Sequence, residues 1–196
     1  MINGSVYMLP EVRITYASHV RCAYRRGVLF PKWWKRYSDH LLFVPRMLTS
    51  QQVPNGAPVR DAHFFHELLV GMRYIDAGFE AIVWYRKAQD PLSHKKLCEL
   101  LGGAAAGKFV GSSNESGGCG PDLLVFHPTT RAFRFVECKG KTERYTSRQL
   151  GRFEAIEKYL ASRSYHHSPL YDAKMPGLFP PLAATRWIHV VRLVPE

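Results

Sequence analysis

The 196-residue chain has 27 lysines and arginines against 16 aspartates and glutamates, which gives a net charge of +11 at pH 7. This surplus is typical of a protein that binds a polyanion such as nucleic acid, although an acidic protein partner would use the same surface. Hydrophobic residues make up 46% of the chain, enough for one packed domain of ordinary size, and no apolar run reaches the length of about eighteen residues that crosses a membrane. The composition therefore predicts no transmembrane helix and favours a globular protein with a polyanionic partner.

The chain start and the cysteines predict a cytoplasmic protein. Residues Met1–Ser5 lack the basic and apolar regions of a secretory signal, so no such signal is expected. The four cysteines are scattered without a C-x-x-C pair, which predicts reduced thiols and neither a zinc site nor a disulfide framework. They are Cys22, Cys98, Cys119 and Cys138.

Residues 1–58 are predicted to form a basic and aromatic extension of the main domain at 59–196. Within the extension, Val6–Val28 is expected to form a hairpin or an added helix, and Thr49–Pro58 a linker. Basic groups bind phosphates and aromatic rings stack on exposed bases, so this mixture predicts contact with nucleic acid. The alternative places the tryptophans in the core and leaves the basic residues merely solvated. The predicted contacts are Arg25, Arg26, Lys32, Trp33, Trp34, Lys35 and Arg36.

The main domain is predicted to begin with a helix followed by a strand. Apolar residues from Phe65 to Ile75 recur at helical spacing, which predicts a helix over Asp61–Ala77 with Asp61 as its N-cap. Phe79–Tyr85 then has the pattern of a strand.

An insertion at residues 87–119 separates this strand from the next. Its first part, Pro91–Leu101, predicts a short helix, and the Gly-rich remainder predicts a mobile loop beside the functional site. Gly102–Lys108 matches most of a P-loop, but Phe109 stands where a hydroxyl group must bind Mg²⁺. Nucleoside triphosphate binding is therefore rejected.

Two strands, a second amphipathic helix and a last strand complete the domain. The strands are predicted at Leu123–Phe126 and Ala132–Cys138, the helix at Thr146–Ala161 and the last strand at Arg186–Val194. Tyr165–Pro181 is expected to be a loop with a helical turn. The resulting order, αβββαβ, predicts an α/β fold.

Two carboxylates and a lysine lie at the ends of the two central strands. Asp122 precedes the first strand, and Glu137 and Lys139 end the second. If the strands form one hairpin, these ends meet, and side-chain alternation places Glu137 and Lys139 on one face. Carboxylate oxygens are the ligands that Mg²⁺ and Mn²⁺ prefer. The spacing predicts metal-dependent phosphodiester hydrolysis, with Lys139 beside the attacking water and its pKa lowered by burial and by the nearby cation.

Residues Gly120–Gln149 resemble the PD-(D/E)XK nucleases, and more narrowly their VRR-NUC branch, the virus-type replication-repair nucleases. The branch reads G-x-PD-L, then E-V-K-G at a strand end, then an acidic residue with Arg, then Ser-x-x-Gln. This chain departs from it at Cys138 for valine, Lys141 for proline and Thr146 for serine. The resemblance implies a restriction-endonuclease-like core, with a mixed central sheet flanked by helices. The matching residues are Gly120, Pro121, Asp122, Leu123, Glu137, Lys139, Gly140, Glu143, Arg144, Thr146 and Gln149.

The resemblance also implies supporting site residues. A glutamate on the first helix commonly joins the metal site of the family, which nominates Glu67 as a metal ligand, with Glu80 as its rival. Gln149 is implied to reach the active site, although a capping box with Thr146 alone would account for it. The Cys138 backbone carbonyl is a further expected ligand. The predicted nucleic-acid contacts near the motif are Lys141, Arg144 and Arg148.

The sequence thus predicts a Mg²⁺- or Mn²⁺-dependent nuclease, most simply a DNA endonuclease acting on duplex or branched substrates. It would serve in repair or junction processing, in which a homodimer is one expectation, or as an antibacterial toxin with an acidic immunity protein, or in restriction and phage defence. A toxin would leave the cell by contact-dependent secretion. The alternative from another class is a non-catalytic or partner-dependent nucleic-acid-binding module, but the intact Asp122, Glu137 and Lys139 argue against it.

Overall fold

A mixed five-stranded sheet lies at the centre of the computed structural model, which describes residues 8–43, 64–83, 91–111, 120–163, 169–180 and 185–196. The strand order is β1-β5-β4-β3-β2. β1, β5 and β4 are parallel to one another, whereas β3 is antiparallel to both β4 and β2. The strands are β1 Glu11–Tyr16, β2 Glu80–Val83, β3 Leu123–Phe126, β4 Phe133–Gly140 and β5 Ile188–Pro195.

Helices cover both faces of the sheet. Apolar side chains of α1, α2 and α3 pack on the face that carries Val136 and Cys138, and those of α4, α5 and α6 pack on the face that carries Phe133 and Phe135. No helix in the described ranges is long and apolar enough to cross a membrane. The helices are α1 Ser18–Arg25, α2 Phe30–Tyr37, α3 Phe65–Asp76, α4 Pro91–Leu100, α5 Ala104–Gly111 and α6 Ser147–Ala161, with a 3₁₀ turn at Leu41–Phe43.

The predicted α/β class is confirmed, and so is the order αβββαβ from α3 to β5 once the two insertion helices, α4 and α5, are set aside. The helix predicted at the start of the main domain is α3. It begins later than expected, at Phe65, because Phe64 has a left-handed backbone with φ of 60°. The proposed cap Asp61 and the proposed linker lie outside the described residues, as does the predicted strand after Val83.

The Gly-rich part of the insertion contains a helix that was not predicted. Gly102 and Gly103 have φ of 72° and 155°, values that glycine adopts at little cost, and they end α4. The alanines that follow are strong helix formers, and α5 buries Ala106 and Val110 against the sheet. A loop was therefore the wrong prediction for Ala104–Gly111, while residues 112–119 lie outside the described ranges.

The N-terminal segment joins the sheet. Val6–Val28 was expected to form a hairpin or a helix, and its described part contains one strand, β1, followed by α1. β1 pairs with β5 along its length, with Glu11 opposite Val190 and Tyr16 opposite Pro195.

A buried hydrogen-bonded pair joins α3 to β5. The Tyr74 hydroxyl lies 2.8 Å from His189 Nε2 and donates to the Leu178 carbonyl at 2.9 Å. His189 Nε2 therefore carries the proton of the neutral ring, and the buried Nδ1 has no hydrogen-bond partner in the described part of the chain. Burial, and then the nearby Arg134, hold the pKa of His189 well below its ordinary value.

We expect His189 to make the fold acid-sensitive. A histidine with a lowered folded-state pKa contributes stability above its unfolded pKa of about 6.5, and that contribution is lost as the pH falls. His189→Gln keeps a polar group near Tyr74 but cannot be protonated. The wild type should therefore lose stability relative to this variant between pH 7 and pH 4.5, as measured by urea unfolding at each pH. A constant difference across that range would contradict the assignment.

Candidate active site

The register of the β3–β4 hairpin brings the predicted carboxylates together. Leu123 lies opposite Val136, so Asp122, the residue before β3, faces Glu137 across the pair. Directly opposed residues of an antiparallel pair project to the same side of the sheet. Alternation along β4 adds Lys139 to that side. The predicted meeting of the two strand ends is confirmed.

Glu137 and Lys139 form a buried ion pair. The two side chains are 2% and 10% exposed, and Lys139 Nζ lies 2.7 Å from Glu137 Oε1. The other carboxylate oxygen, Glu137 Oε2, is buried and has no donor group bound to it among the described residues, although a hydrogen bond shared with the Asp122 carboxyl contributes to the raised pKa of Glu137. A buried carboxylate oxygen in this state is costly, and a ligand that binds it would remove the cost.

Asp122 is held by the strand that it faces. Its Oδ2 atom accepts a hydrogen bond of 2.8 Å from the backbone N–H of Cys138. The N–H and C=O of one strand residue point to the same neighbour. The Cys138 carbonyl is therefore directed to the side of β4 on which Asp122 lies, as a further metal ligand there requires, while the thiol is buried on the opposite face.

Crowding of carboxylates raises the proton affinity of the site. Burial, and next the charge of Asp122, raise the pKa of Glu137 to about 8. The same two causes, in the same order, raise the pKa of Glu67 to about 7. Each of the two groups therefore binds a proton more tightly than a free glutamate does, and a cation that offset the negative charge would weaken that binding.

The pKa of Lys139 is shifted in the direction opposite to that predicted. Burial lowers it, but Glu137, through its charge and its hydrogen bond, and then Asp122 and Glu143 outweigh burial, and the net shift is upward. The prediction assumed a neighbouring cation, and the dominant neighbours are carboxylates.

The structure places Glu67, and not Glu80, beside the carboxylate pair. Glu67 lies in the first turn of α3, near enough to Asp122 and Lys139 for their charges to act on it. Glu80 lies opposite Phe126, at the end of β3 remote from Asp122, and its Oε1 is 2.9 Å from His40 Nδ1.

Gln149 occupies both of the roles considered for it. Its backbone N–H donates to the Thr146 hydroxyl at 3.1 Å, and its Oε1 accepts from the Thr146 N–H at 3.2 Å, which confirms the capping box. Its Nε2 also donates to Glu137 Oε1 at 3.4 Å. The cap thus aims the amide group at the site.

The predicted nucleic-acid contacts divide into exposed cations and packed rings. The structure favours the core alternative for the two tryptophans, because Trp33 stacks on Tyr24 with ring centroids 5.3 Å apart and Trp34 packs near Phe30 at 6.3 Å. The basic side chains lie on the surface, and one of them, Arg36, pairs with Asp76 at 2.8 Å. The exposed cations are Arg25, Arg26, Lys32, Lys35, Arg36, Lys141, Arg144 and Arg148.

Arg192, on β5, is a site neighbour that the sequence did not reveal. Its Nη1 atom donates to the carbonyls of Gly140 and Glu143, both at 2.9 Å, and its Nε and Nη2 atoms bind the Glu11 carboxylate at 2.9 Å. Arg192 thereby joins β1 to the connection that follows Lys139. In the sequence, the one indication of this role is that a charged arginine interrupts the otherwise apolar run of β5.

Within the described ranges, no group of three or more histidine, cysteine, aspartate or glutamate side chains is arranged to hold a metal ion. Glu67, predicted as a metal ligand, therefore does not form a ready three-carboxylate cluster with Asp122 and Glu137 in the described residues, although it lies near enough for the charge of Asp122 to act on it. A scan against models of known protein families gives no match, and a search of curated protein sequences gives no significant match.

Proposed function

We propose that the chain is a metal-dependent nuclease of the PD-(D/E)XK type, related to the VRR-NUC branch, that hydrolyses phosphodiester bonds of DNA as an endonuclease. The observation that carries the proposal is the buried cluster in which Asp122 faces Glu137 and Lys139 lies 2.7 Å from the Glu137 carboxylate. With the insertion helices α4 and α5 set aside, the order from α3 to β5 is αβββαβ, which supports this fold type. The net charge of +11 supports a nucleic-acid substrate.

The donor set suits Mg²⁺ or Mn²⁺. Hard cations of this kind prefer carboxylate and carbonyl oxygens, and the buried Glu137 Oε2 has no donor group bound to it among the described residues. Asp122, Glu137 and the Cys138 carbonyl would hold the ion. A bound ion would polarise the phosphodiester and lower the pKa of a water molecule.

The chain's own groups would orient the reactants. Lys139, held by Glu137, would place its ammonium beside the attacking water and the phosphate oxygens. Gln149 would hold Glu137 Oε1 in place through its amide. Glu67, whose pKa is raised to about 7, would take up or release a proton near neutral pH.

The biological setting follows from the substrate. An enzyme of repair or junction processing would cleave branched DNA. A homodimer suits such a substrate, because its two active sites can each act on one strand of a symmetric junction. A toxin calls for indiscriminate duplex cleavage and an acidic immunity protein as partner. Restriction or phage defence is the third setting.

Cleavage of plasmid, linear duplex, flap and four-way-junction DNA in Mg²⁺, Mn²⁺ or EDTA tests the proposal. We expect cleavage by the wild type only with metal, and a loss of roughly a hundredfold or more in Glu137→Gln. Glu154→Gln is the matched control, because Glu154 pairs with Lys158 on the surface of α6. If the protein binds DNA but cleaves none of these substrates, the nuclease proposal is wrong and the alternative of a nucleic-acid-binding module takes its place.

A further inference from the structure

A group of cations without carboxylates covers the two N-terminal helices, α1 and α2. Residues 17–38 contain six lysines and arginines and no aspartate or glutamate, so this short segment carries a charge of +6 out of the net +11 of the chain. Within the described ranges Arg36 alone of the six pairs with a carboxylate, that of Asp76 at 2.8 Å. We call this group the α1–α2 cations: Arg21, Arg25, Arg26, Lys32, Lys35 and Arg36.

Helix stability does not account for the positions of all six. A cation in the last turn of a helix lies at the negative end of the helix dipole, which suits Arg25, Lys35 and Arg36. Lys32 lies in the first turn of α2, at the positive end of the dipole, and Arg21 lies in the middle of α1. A polyanion bound to the outside of both helices accounts for both sets of positions.

The aromatic rings of the two helices lie beneath these cations. The three cations of α2 are exposed and lie three and four positions apart, so they share one side of that helix. Trp33 packs inward, where its ring centroid lies 5.3 Å from that of Tyr24 and 6.4 Å from that of Phe65. Proteins that bind single-stranded nucleic acid stack its bases on exposed aromatic rings. The packed tryptophan offers no such ring face, so the surface suits phosphates and not bases.

The α1–α2 cations begin beside the proposed active site. Arg21 lies near enough to His66, the residue before Glu67, for its charge to act on that ring. A Cβ atom at Gly140 would come within 3.3 Å of His66 Cε1, so His66 lies against the end of β4 that carries Lys139. One bound DNA molecule can therefore contact α1 and the site together.

We propose that the exposed side of α1 and α2 binds the phosphate backbone of duplex DNA, without contact to the bases, and thereby holds the duplex at the active site. Duplex DNA carries one negative charge per about 1.7 Å of its length, and every phosphate that a lysine or arginine neutralises releases condensed counterions. Binding should therefore be independent of base sequence, stronger for duplex than for single strands, and strongly weakened by salt. The choice of DNA as the polyanion rests on the proposed nuclease function.

Fluorescence anisotropy in EDTA measures this binding without cleavage. The probes are two labelled duplexes of about 20 base pairs with unrelated sequences, and a single strand of the same length, over roughly 50 to 200 mM salt. Lys32→Gln/Lys35→Gln and Arg25→Gln/Arg26→Gln each remove two charges from exposed positions. Each should weaken binding of both duplexes to the same extent and reduce the slope of log Kd against log salt concentration by about 2, for two lost phosphate contacts.

Two further proteins are the controls. Lys158→Gln/Arg163→Gln removes two exposed charges at the end of α6 remote from its capped N-terminus, on the other side of the sheet, and should bind as the wild type does. Lys32→Arg/Lys35→Arg keeps the charge and should retain the wild-type slope. Thermal unfolding checks that each variant folds.

The outcomes separate the surface from the reaction. Wild-type affinity and salt slope in both double glutamine variants of α1 and α2 overturn the surface. Equal binding of duplex and single strand, or binding to acidic lipid vesicles or polyglutamate but not to DNA, overturns the duplex backbone as its partner. A wild type that binds duplex with the expected dependence on these residues, yet cleaves nothing in Mg²⁺ or Mn²⁺, contradicts the nuclease and leaves the surface established.

Discussion

Asp122→Asn is expected to reduce metal-dependent cleavage by about a hundred- to a thousandfold or more while leaving the fold intact. The asparagine keeps an oxygen that accepts the Cys138 N–H, which Asp122 binds at 2.8 Å. It removes the negative charge that, after burial, contributes most to the raised pKa values of Glu137 and Glu67. The melting temperature should therefore stay equal to that of the wild type or rise slightly.

Asp122→Ala provides the comparison. The alanine also leaves the Cys138 N–H without its acceptor, so this variant should lose about 1–3 kcal/mol of stability relative to Asp122→Asn. Cleavage kinetics and thermal unfolding of the two proteins separate the catalytic carboxylate from the structural hydrogen bond. Substantial cleavage by Asp122→Asn would show that the reaction does not need the Asp122 carboxylate.

The metal-free protein is expected to lose stability as the pH rises from 6.5 to 9. A carboxyl group whose folded-state pKa is raised binds its proton more tightly when folded, so it stabilises the fold at low pH and that contribution disappears as the pH passes the raised value. Glu137, with a pKa of about 8, should account for roughly 2 kcal/mol between pH 6.5 and 8, at about 1.4 kcal/mol per pKa unit. Glu67, with a pKa of about 7, adds to the effect in the same direction.

Thermal unfolding in EDTA measures this loss. The expected decrease in melting temperature is roughly 4–8 °C for a chain of this length. Mg²⁺ or Mn²⁺ should reduce the decrease, because a cation that binds only the folded state stabilises it and favours ionised carboxylates. Asp122→Asn should flatten the pH dependence even without metal. A wild-type melting temperature that rises over this pH range would contradict the account of the site.

The central hairpin could be predicted from the sequence because its determinants are local. Strand alternation alone places Glu137 and Lys139 on one face, and the short separation of the two apolar runs brings Asp122 opposite Glu137. The capping box at Thr146 could likewise be predicted, because it depends on only four consecutive residues.

Features that depend on distant pairing could not be predicted. Arg192 reaches Gly140 only because β5 pairs with β4, and Glu11 reaches Arg192 only because β1 pairs with β5. The upward pKa shift of Lys139 likewise depends on how many carboxylates the fold gathers around it. The helix α5 was missed for a different reason: the surrounding glycines favour a loop, and the three alanines that begin the helix were grouped with them although alanine is the strongest helix former.

Cleavage of a 5′-labelled DNA duplex in a single turnover, started by adding Mn²⁺ to a metal-free mixture of DNA and protein in excess, tests the central claim most directly. The wild type should begin to cut only when the metal arrives, and Lys139→Met, at a matched fraction of bound DNA, should not cut on the same time scale. Cutting before the metal is added, or equal cutting by Lys139→Met, would contradict a metal-dependent site built on Asp122, Glu137 and Lys139.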